Sequence, residues 1–410
     1  MPSNEANQTQ ESFSLDMRKL RRKKKNIRIL KRFLAALAVL LLIFCIYISR
    51  SLWLPGLEGI LEKNYWTPAD TSETDEAADE GFPIDISKKV NTLISPMEDC
   101  LAIYSDTYLT TVDSDGREIQ SVYLPYGTPI LQTVSKRAVL YDMGGYNFSV
   151  ISKKNEVFSK KMDNQILFAA IGTKGNVAVI TSTDKFPSYL TVYDRNGNEI
   201  YHWADGNYIT SVALSPTGNG CLVSSTYASK GSIRSVITEL DFSKSEVGAK
   251  TRPIETLALS TSYTTSGGFW AIGDNALYRF NKDCEQEFIY SYSYDLSGYA
   301  VSGDICALEF GSIDGKFSYL TVTCANGDNS TDEQAFDDII NHIEINGDNV
   351  LANTSTRLYL LNKMGDRLES MKLRSEYVTF ALSGNEAYMM SHRSIDKVAL
   401  DWEGYGEENG

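Results

Sequence analysis

An all-β fold built from repeated four-stranded units is predicted by three observations. From residue 84 onward, short β-rich runs alternate with Gly, Asn, Asp and Ser turns, and helical periodicity is nearly absent. One stretch shows the unit plainly: Ile166–Ile171, Val177–Ser182, Tyr189–Asp194 and Glu199–Trp203 read as four strands, the last two joined by the tight-turn sequence Arg195-Asn196-Gly197-Asn198. The unit then recurs. Turns of this kind start at Asp113, Ser152, Asp194, Asp241, Asn281 and Asn362, spaced 39, 42, 47, 40 and 81 residues apart. The last spacing is two periods, and the hidden member falls near Val322–Gly327. Four strands every ~40 residues is the signature of a β-propeller.

Seven units are visible, and an eighth is partial. Val378–Ser383, Ala387–Ser391 and Lys397–Asp401 supply three strands without a fourth, which the segment Ile84–Val90 can supply from the other end of the domain. Such an exchange pairs the chain's ends and removes two open sheet edges. The expected ring therefore has eight blades, with seven as the alternative. The polar insertion Gly327–Asp338 blurs the sixth unit; its composition suggests a solvated loop followed by a short helix through Ile340.

Ahead of the repeats the chain changes character. Residues 1–32 form a basic tail with ten Lys/Arg between Arg18 and Arg32. Directly behind them, Phe33 to Ser49 are uncharged and mostly apolar. Extended to Leu54, this run gives ~33 Å of helix, enough for a hydrocarbon core ~30 Å thick. No small-residue cleavage site follows it, so residues 33–54 are expected to be a single-pass signal-anchor rather than a removed leader. The basic flank predicts a cytoplasmic N-terminus, an extracellular C-terminal domain, and contact of the tail with anionic lipid headgroups. Residues 55–83 read as an acidic stalk, with six acids between Thr67 and Gly81. The propeller is expected over residues 84–401, and residues 402–410 as a disordered tail.

Beyond residue 54 the chain carries 28 Lys/Arg against 50 Asp/Glu. That acidity argues against nucleic acid as a partner of the repeats. Five cysteines lie there, Cys100, Cys221, Cys284, Cys306 and Cys324, too scattered for a disulfide scaffold and expected as small buried hydrophobes. Cys306 and Cys324 can sit on neighbouring strands, but a disulfide bridge between them is not the expected outcome.

No set of residues announces chemistry. The three histidines, His202, His342 and His392, fall in different units, without H-x-x-x-H or C-x-x-C spacing, so no metal site is assigned. Asp113-Ser-Asp-Gly116 and Asp194-Arg-Asn-Gly197 superficially resemble calcium loops. Their glycine stands fourth rather than sixth and no glutamate stands twelfth, so turn chemistry accounts for them. Nucleophile elbow, P-loop and dinucleotide fingerprints are missing, and Ser215–Gly220 reads as a turn. No catalytic, cofactor-binding or metal residue is named, and no cofactor is expected. In Tyr290-Ser-Tyr-Ser-Tyr294 the tyrosines alternate, which suits packing between blades first and sugar or protein contact second.

Units such as Tyr189–Trp203 resemble the degenerate repeats of WD-type and quinoprotein-type propellers, although the Gly-His and Trp-Asp dipeptides of WD repeats are missing. The order of basic tail, single anchor and propeller is similar to a family of uncharacterised Firmicutes proteins. That resemblance implies a Gram-positive cell membrane location and supplies no active-site residues. The function expected is a membrane-anchored scaffold that binds an envelope protein or glycan. The alternatives are a quinoprotein-like or glycan-active enzyme, whose support is fold analogy, and a sensor relaying to a cytoplasmic partner.

Overall fold

A computed structural model describes residues 81–400, apart from Ser245, Ile313, Asp314, residues 328–330 and Asn385. The expected tail, anchor and most of the stalk lie outside the described residues, as does the C-terminal tail. Among the described residues no helix is long and apolar enough to cross a membrane.

The fold is all-β, with eight antiparallel sheets in chain order. Blades 1 to 7 span residues 93–123, 129–161, 166–205, 208–241, 258–291, 296–336 and 340–372, and blade 8 spans 377–399. The first strand of each blade is the inner one, since first strands meet at seven of the eight junctions between blades, the junction of the first and last blades included. Ile84–Asp85 completes blade 8 as its outer strand, with Ile84 opposite Ile395 and Asp85 opposite Ser394. The exchange expected from the sequence is therefore the one that closes the ring.

Strand alternation explains the core. Second strands such as Val177–Thr181 and Phe269–Gly273 are buried at every position, because each is covered by neighbouring blades on both faces. Outer strands such as Gln286–Ser291 half-bury only alternate residues and expose the rest. The core is accordingly a chain of clusters, each shared by adjacent blades. One joins Val139 and Phe148 of blade 2 to Ile166 and Val179 of blade 3.

Two blades depart from the pattern. Blade 4 has three regular strands; its fourth place is taken by an irregular run tied on through isolated bridges, Ser235 to Ile254 and Thr238 to Lys250. In blade 6 the acidic insertion is not the expected loop and short helix. Glu333–Phe336 is the outer strand, paired with Ser318–Thr321, and Phe336 is buried. A free backbone edge on the third strand and burial of Phe336 outweigh the weak helical preference of Glu, Gln and Ala.

The repeated turn has one physical cause. In four blades the residue after the third strand, Asp113, Asp194, Asn281 or Asn362, accepts the backbone N–H groups two and four positions on through its Oδ1, at 2.8–3.0 Å. Its carbonyl accepts the N–H three positions on, whose residue has positive φ: Gly116, Gly197, Cys284 or Gly365. These turns spend the Asx side chain on their own backbone, which is the chemistry expected for Asp113 and Asp194. At Gly197 (φ +85°) a Cβ would stand 2.7 Å from Phe158, so both conformation and space demand glycine.

Candidate functional site

Antiparallel strands give the ring two unlike faces. The lower face carries the turns from first to second and from third to fourth strand. The upper face carries the turns from second to third strand and the crossovers between blades. Sixteen large apolar side chains remain exposed among the described residues, and ten of them stand on the upper face, eight in the half formed by blades 1–4. Exposed apolar side chains gathered on one face are the signal of a candidate interaction site.

Local turn chemistry places the main members. Asp106 and Thr107 (φ +52° and +89°) reverse the chain so that Tyr108 stands opposite Tyr123, ring centroids 5.3 Å apart, with both rings about half exposed. Asp106 also holds the entering crossover, accepting Val90 N–H at 2.9 Å and pairing with Lys89 at 3.2 Å. Tyr146 sits in the glycine turn of blade 2, its carbonyl accepting Met162 N–H at 2.7 Å. Phe186 is presented by a turn in which its N–H donates to Thr183 Oγ1 at 2.9 Å. Tyr208, 66 % exposed, opens the inner strand of blade 4. Beside it the ten-residue strands Gly220–Ser229 and Ser232–Asp241 run past the end of the inner strand, whose Tyr208 pairs with Thr226. Ile233, opposite Ala228 and so two positions past that pair, is lifted roughly 7 Å at ~3.3 Å per residue.

The residues weighed from sequence lie elsewhere. His202 is exposed on the outer strand of blade 3, with Nδ1 3.1 Å from Glu199 and its ring stacked on Tyr189. His342 is on the inner strand of blade 7, edge-on to Phe380, and burial lowers its pKa. His392 is in the exposed upper turn of blade 8. Among the described residues no three His, Cys, Asp or Glu side chains gather as metal ligands would. All five described cysteines are buried and free. Cys306 and Cys324 do lie on neighbouring strands, but Cys306 faces Thr323 while Cys324 faces Ile305. One register step turns the two thiols into different clusters, one shared with blade 5 and one with blade 7, so the bridge does not form. Burial raises the Cys100 and Cys284 thiols to about 11, away from reactivity at neutral pH. Tyr290, Tyr292 and Tyr294 turn inward against blade 6: Tyr290 and Tyr292 meet Phe310, and Tyr294 stacks on Tyr319 at 4.6 Å. Packing between blades, the first of the two expectations, is what they do.

Two buried carboxyls were not anticipated. Glu309, in the second strand of blade 6, accepts a hydrogen bond from Ser318 Oγ at 2.8 Å, and burial raises its pKa. Glu344 faces the inner strand of blade 8; burial raises its pKa to about 8, against the opposing effect of Leu382 N–H donating at 3.1 Å. Asn346, two residues on, donates to Gly384 O at 2.8 Å. Glu344 and Asn346 therefore join blades 7 and 8, and the geometry gives them a structural task.

Solved structures share this architecture. Sqt1 of Saccharomyces cerevisiae aligns with a TM-score of 0.57 at 11 % identity, over 77 % of this chain and 98 % of that one. BamB from Moraxella catarrhalis, the quinoprotein-like neighbour, aligns with a TM-score of 0.50 at 15 % identity, over 74 % and 92 %. Identities this low show the fold alone. No curated protein matches the chain. The model of a family of unknown function covers residues 80–400, the whole described ring, and the chain belongs to that family, DUF5711.

Proposed function

We propose that this chain is a membrane-anchored docking module of the cell envelope that binds a protein partner on the upper face of blades 1–4. The observation that carries the proposal is the segregation of exposed aromatic and aliphatic side chains onto that face. Tyr108, Tyr123, Tyr146, Phe186, Tyr208 and Ile233 offer rigid apolar area with polar tips, the composition favoured where two proteins meet. Exposed aliphatic Ile233, Met143 and Val90 on the same face suit a protein surface better than a glycan, whose hydroxyls need polar partners beside an aromatic face. The proposed role is binding rather than catalysis, and it rests on this face rather than on missing catalytic motifs.

The path of the described chain leaves the same face open. The described chain enters on the lower side: Gly81 lies against the hairpin Asp113–Arg117, where a Cβ on Gly116 would stand 2.8 Å from the Gly81 carbonyl carbon. The upper face is opposite the side on which the described chain enters the ring.

The test is crosslinking of the full chain in its host, followed by capture and mass spectrometry, beside a Tyr108→Ser/Tyr208→Ser variant. The proposal expects a reproducible partner whose yield falls at least tenfold in the variant. An unchanged partner set in the variant overturns the assignment of the face.

A further inference from the structure

On the lower face, at the junction of blades 1 to 3, the turns bring four cations around one cavity of about 220 Å³. Lys136 and Arg137 come from the start of the second strand of blade 2, Lys174 from the first turn of blade 3, and Arg195 from its third-to-fourth turn. One carboxylate shares the lining: Glu98, 3.6 Å from Lys136 in a solvent-exposed pair that leaves most of the charge unspent. Lys174 and Arg195 are exposed and meet no carboxylate in an ion pair among the described residues. Such a concentration of positive charge is unexpected where acids outnumber bases 50 to 28 beyond residue 54.

The site is built rather than incidental. Arg137 is half-buried, and its Nη1 donates to the Arg195 carbonyl, which fixes the guanidinium and the Arg195 turn relative to one another. Burial and the nearby Arg195 guanidinium both lower the pKa of Arg137, with Asp194 opposing them, so the two cations feel each other across the cavity. The Arg195 turn is itself held by Asp194, through Asn196 and Asn198 N–H at 2.8 and 2.9 Å. Like charges held together by the backbone lower their energy by taking up an anion. Guanidinium and ammonium groups around a small concavity fit the tetrahedral, multiply charged oxygen array of a phosphate.

We propose that the cavity bounded by Lys136, Arg137, Lys174 and Arg195 is a binding site for a phosphate group. The site is independent of the upper face, and its test needs no partner protein. Two sources present this chemistry, the phosphodiester of a lipid headgroup and a free or polyol-linked phosphate.

Calorimetric titration of the full chain in a zwitterionic detergent separates them, with inorganic phosphate and monomeric dihexanoyl phosphatidylglycerol as probes. The comparison is with Lys174→Gln/Arg195→Gln, both exposed positions that leave Arg137 and its carbonyl contact in place. Lys282→Gln, an exposed lysine in a lower-face turn of blade 5, controls for general charge, and the basic N-terminal block is common to every variant. The proposal expects saturable binding that weakens at least tenfold in the double variant and is unchanged in Lys282→Gln. Saturation by inorganic phosphate assigns the free anion, and saturation by the lipid alone assigns the headgroup; either supports the site. Failure of both probes to saturate, or equal binding by the wild-type and double-variant chains, overturns it.

Discussion

On the lower face the blades are tied to one another mainly through turn side chains, whereas on the upper face strand-end bonds such as Gly144 N–H to Ile166 O and Asn353 to Tyr377 O join blades beside bonds that pin a crossover to its own blade. Lys153 reaches Asp99 between blades 2 and 1, at 2.8 Å, and Asn176 reaches Gly218 O between blades 3 and 4, at 2.9 Å. Asp304 accepts Thr265 N–H between blades 6 and 5, also at 2.9 Å. Asn346 joins blades 7 and 8, and Lys397 donates to Ser114 O across the closing seam. The upper face shows bonds such as Thr128 N–H to Asp142 and Leu257 N–H to Asp274, each anchoring an incoming crossover to its own blade. Both faces carry polar ties between blades, but the exposed apolar side chains gather on the upper one. Substitutions of those side chains should therefore fail differently from substitutions in the turns that tie blades together.

The largest expected effect is on the lower face. Gly197→Ala forces a left-handed backbone onto a side chain and drives a Cβ into Phe158, at a cost of about 2–4 kcal/mol. Urea denaturation of the full chain measures it, and a loss under about 0.5 kcal/mol, the level of a neutral surface change, would mean that the turn does not constrain the ring. Next comes Asp304→Ala, which strips the acceptor from Thr265 N–H, the Thr265 hydroxyl and Asn326, and should cost about 1–2 kcal/mol. At the other extreme, Tyr108→Ser and Tyr208→Ser should move stability by no more than about 0.5 kcal/mol while abolishing partner capture. A large loss of stability there would erase the distinction between the faces.

Between these extremes lies a pH effect. Burial holds the Glu344 pKa at about 8 in the folded chain, above its ordinary 4.5, so the folded state binds the extra proton between those values. Stability from this group is full below about 4.5 and declines as pH rises toward 8. His342 works in the opposite sense: its folded pKa is depressed below 6.5, so its contribution is present above 6.5 and falls as pH drops. The two oppose each other below 6.5, and Glu344 acts alone above it. Glu344→Gln should therefore flatten the decline of thermal stability between pH 6.5 and 8; an unaltered slope would show that another group sets it.

The ring was legible because its cause is local. An Asx side chain satisfying two backbone N–H groups, followed in three of four cases by a glycine, writes itself into four consecutive residues, and its recurrence in four blades sets the ~40-residue period. Where the turn departs from that chemistry the reading weakened. Asp241 is followed three positions on by Lys244 rather than glycine, and blade 4 has no regular outer strand. In blade 6 the turn is lengthened, and Glu333–Phe336 became a strand through pairing with residues 318–321, which no local preference announces. The upper face was not legible at all. Tyr108 and Tyr123 are fifteen positions apart and Ile233 far from both, and they share a surface only once the ends of strands in different blades are known. The cationic cavity is hidden for the same reason, its four members being drawn from three turns and a strand end.

Ile84 and Ile395 meet across 311 positions of chain, and this gives the first strand a second meaning. Synthesis runs at about 5–20 residues per second, so this strand waits roughly 15–60 s for the edge it must cover. Until then the molecule has two bare sheet edges, open to other chains and to proteases. Phe82, packed 5.2 Å from Tyr388, and buried Ile86 reinforce a pairing only two residues long. The opening residues of the domain thus serve as a proofreader of length: a chain cut short before blade 8 has nothing for them to grip and is exposed to removal.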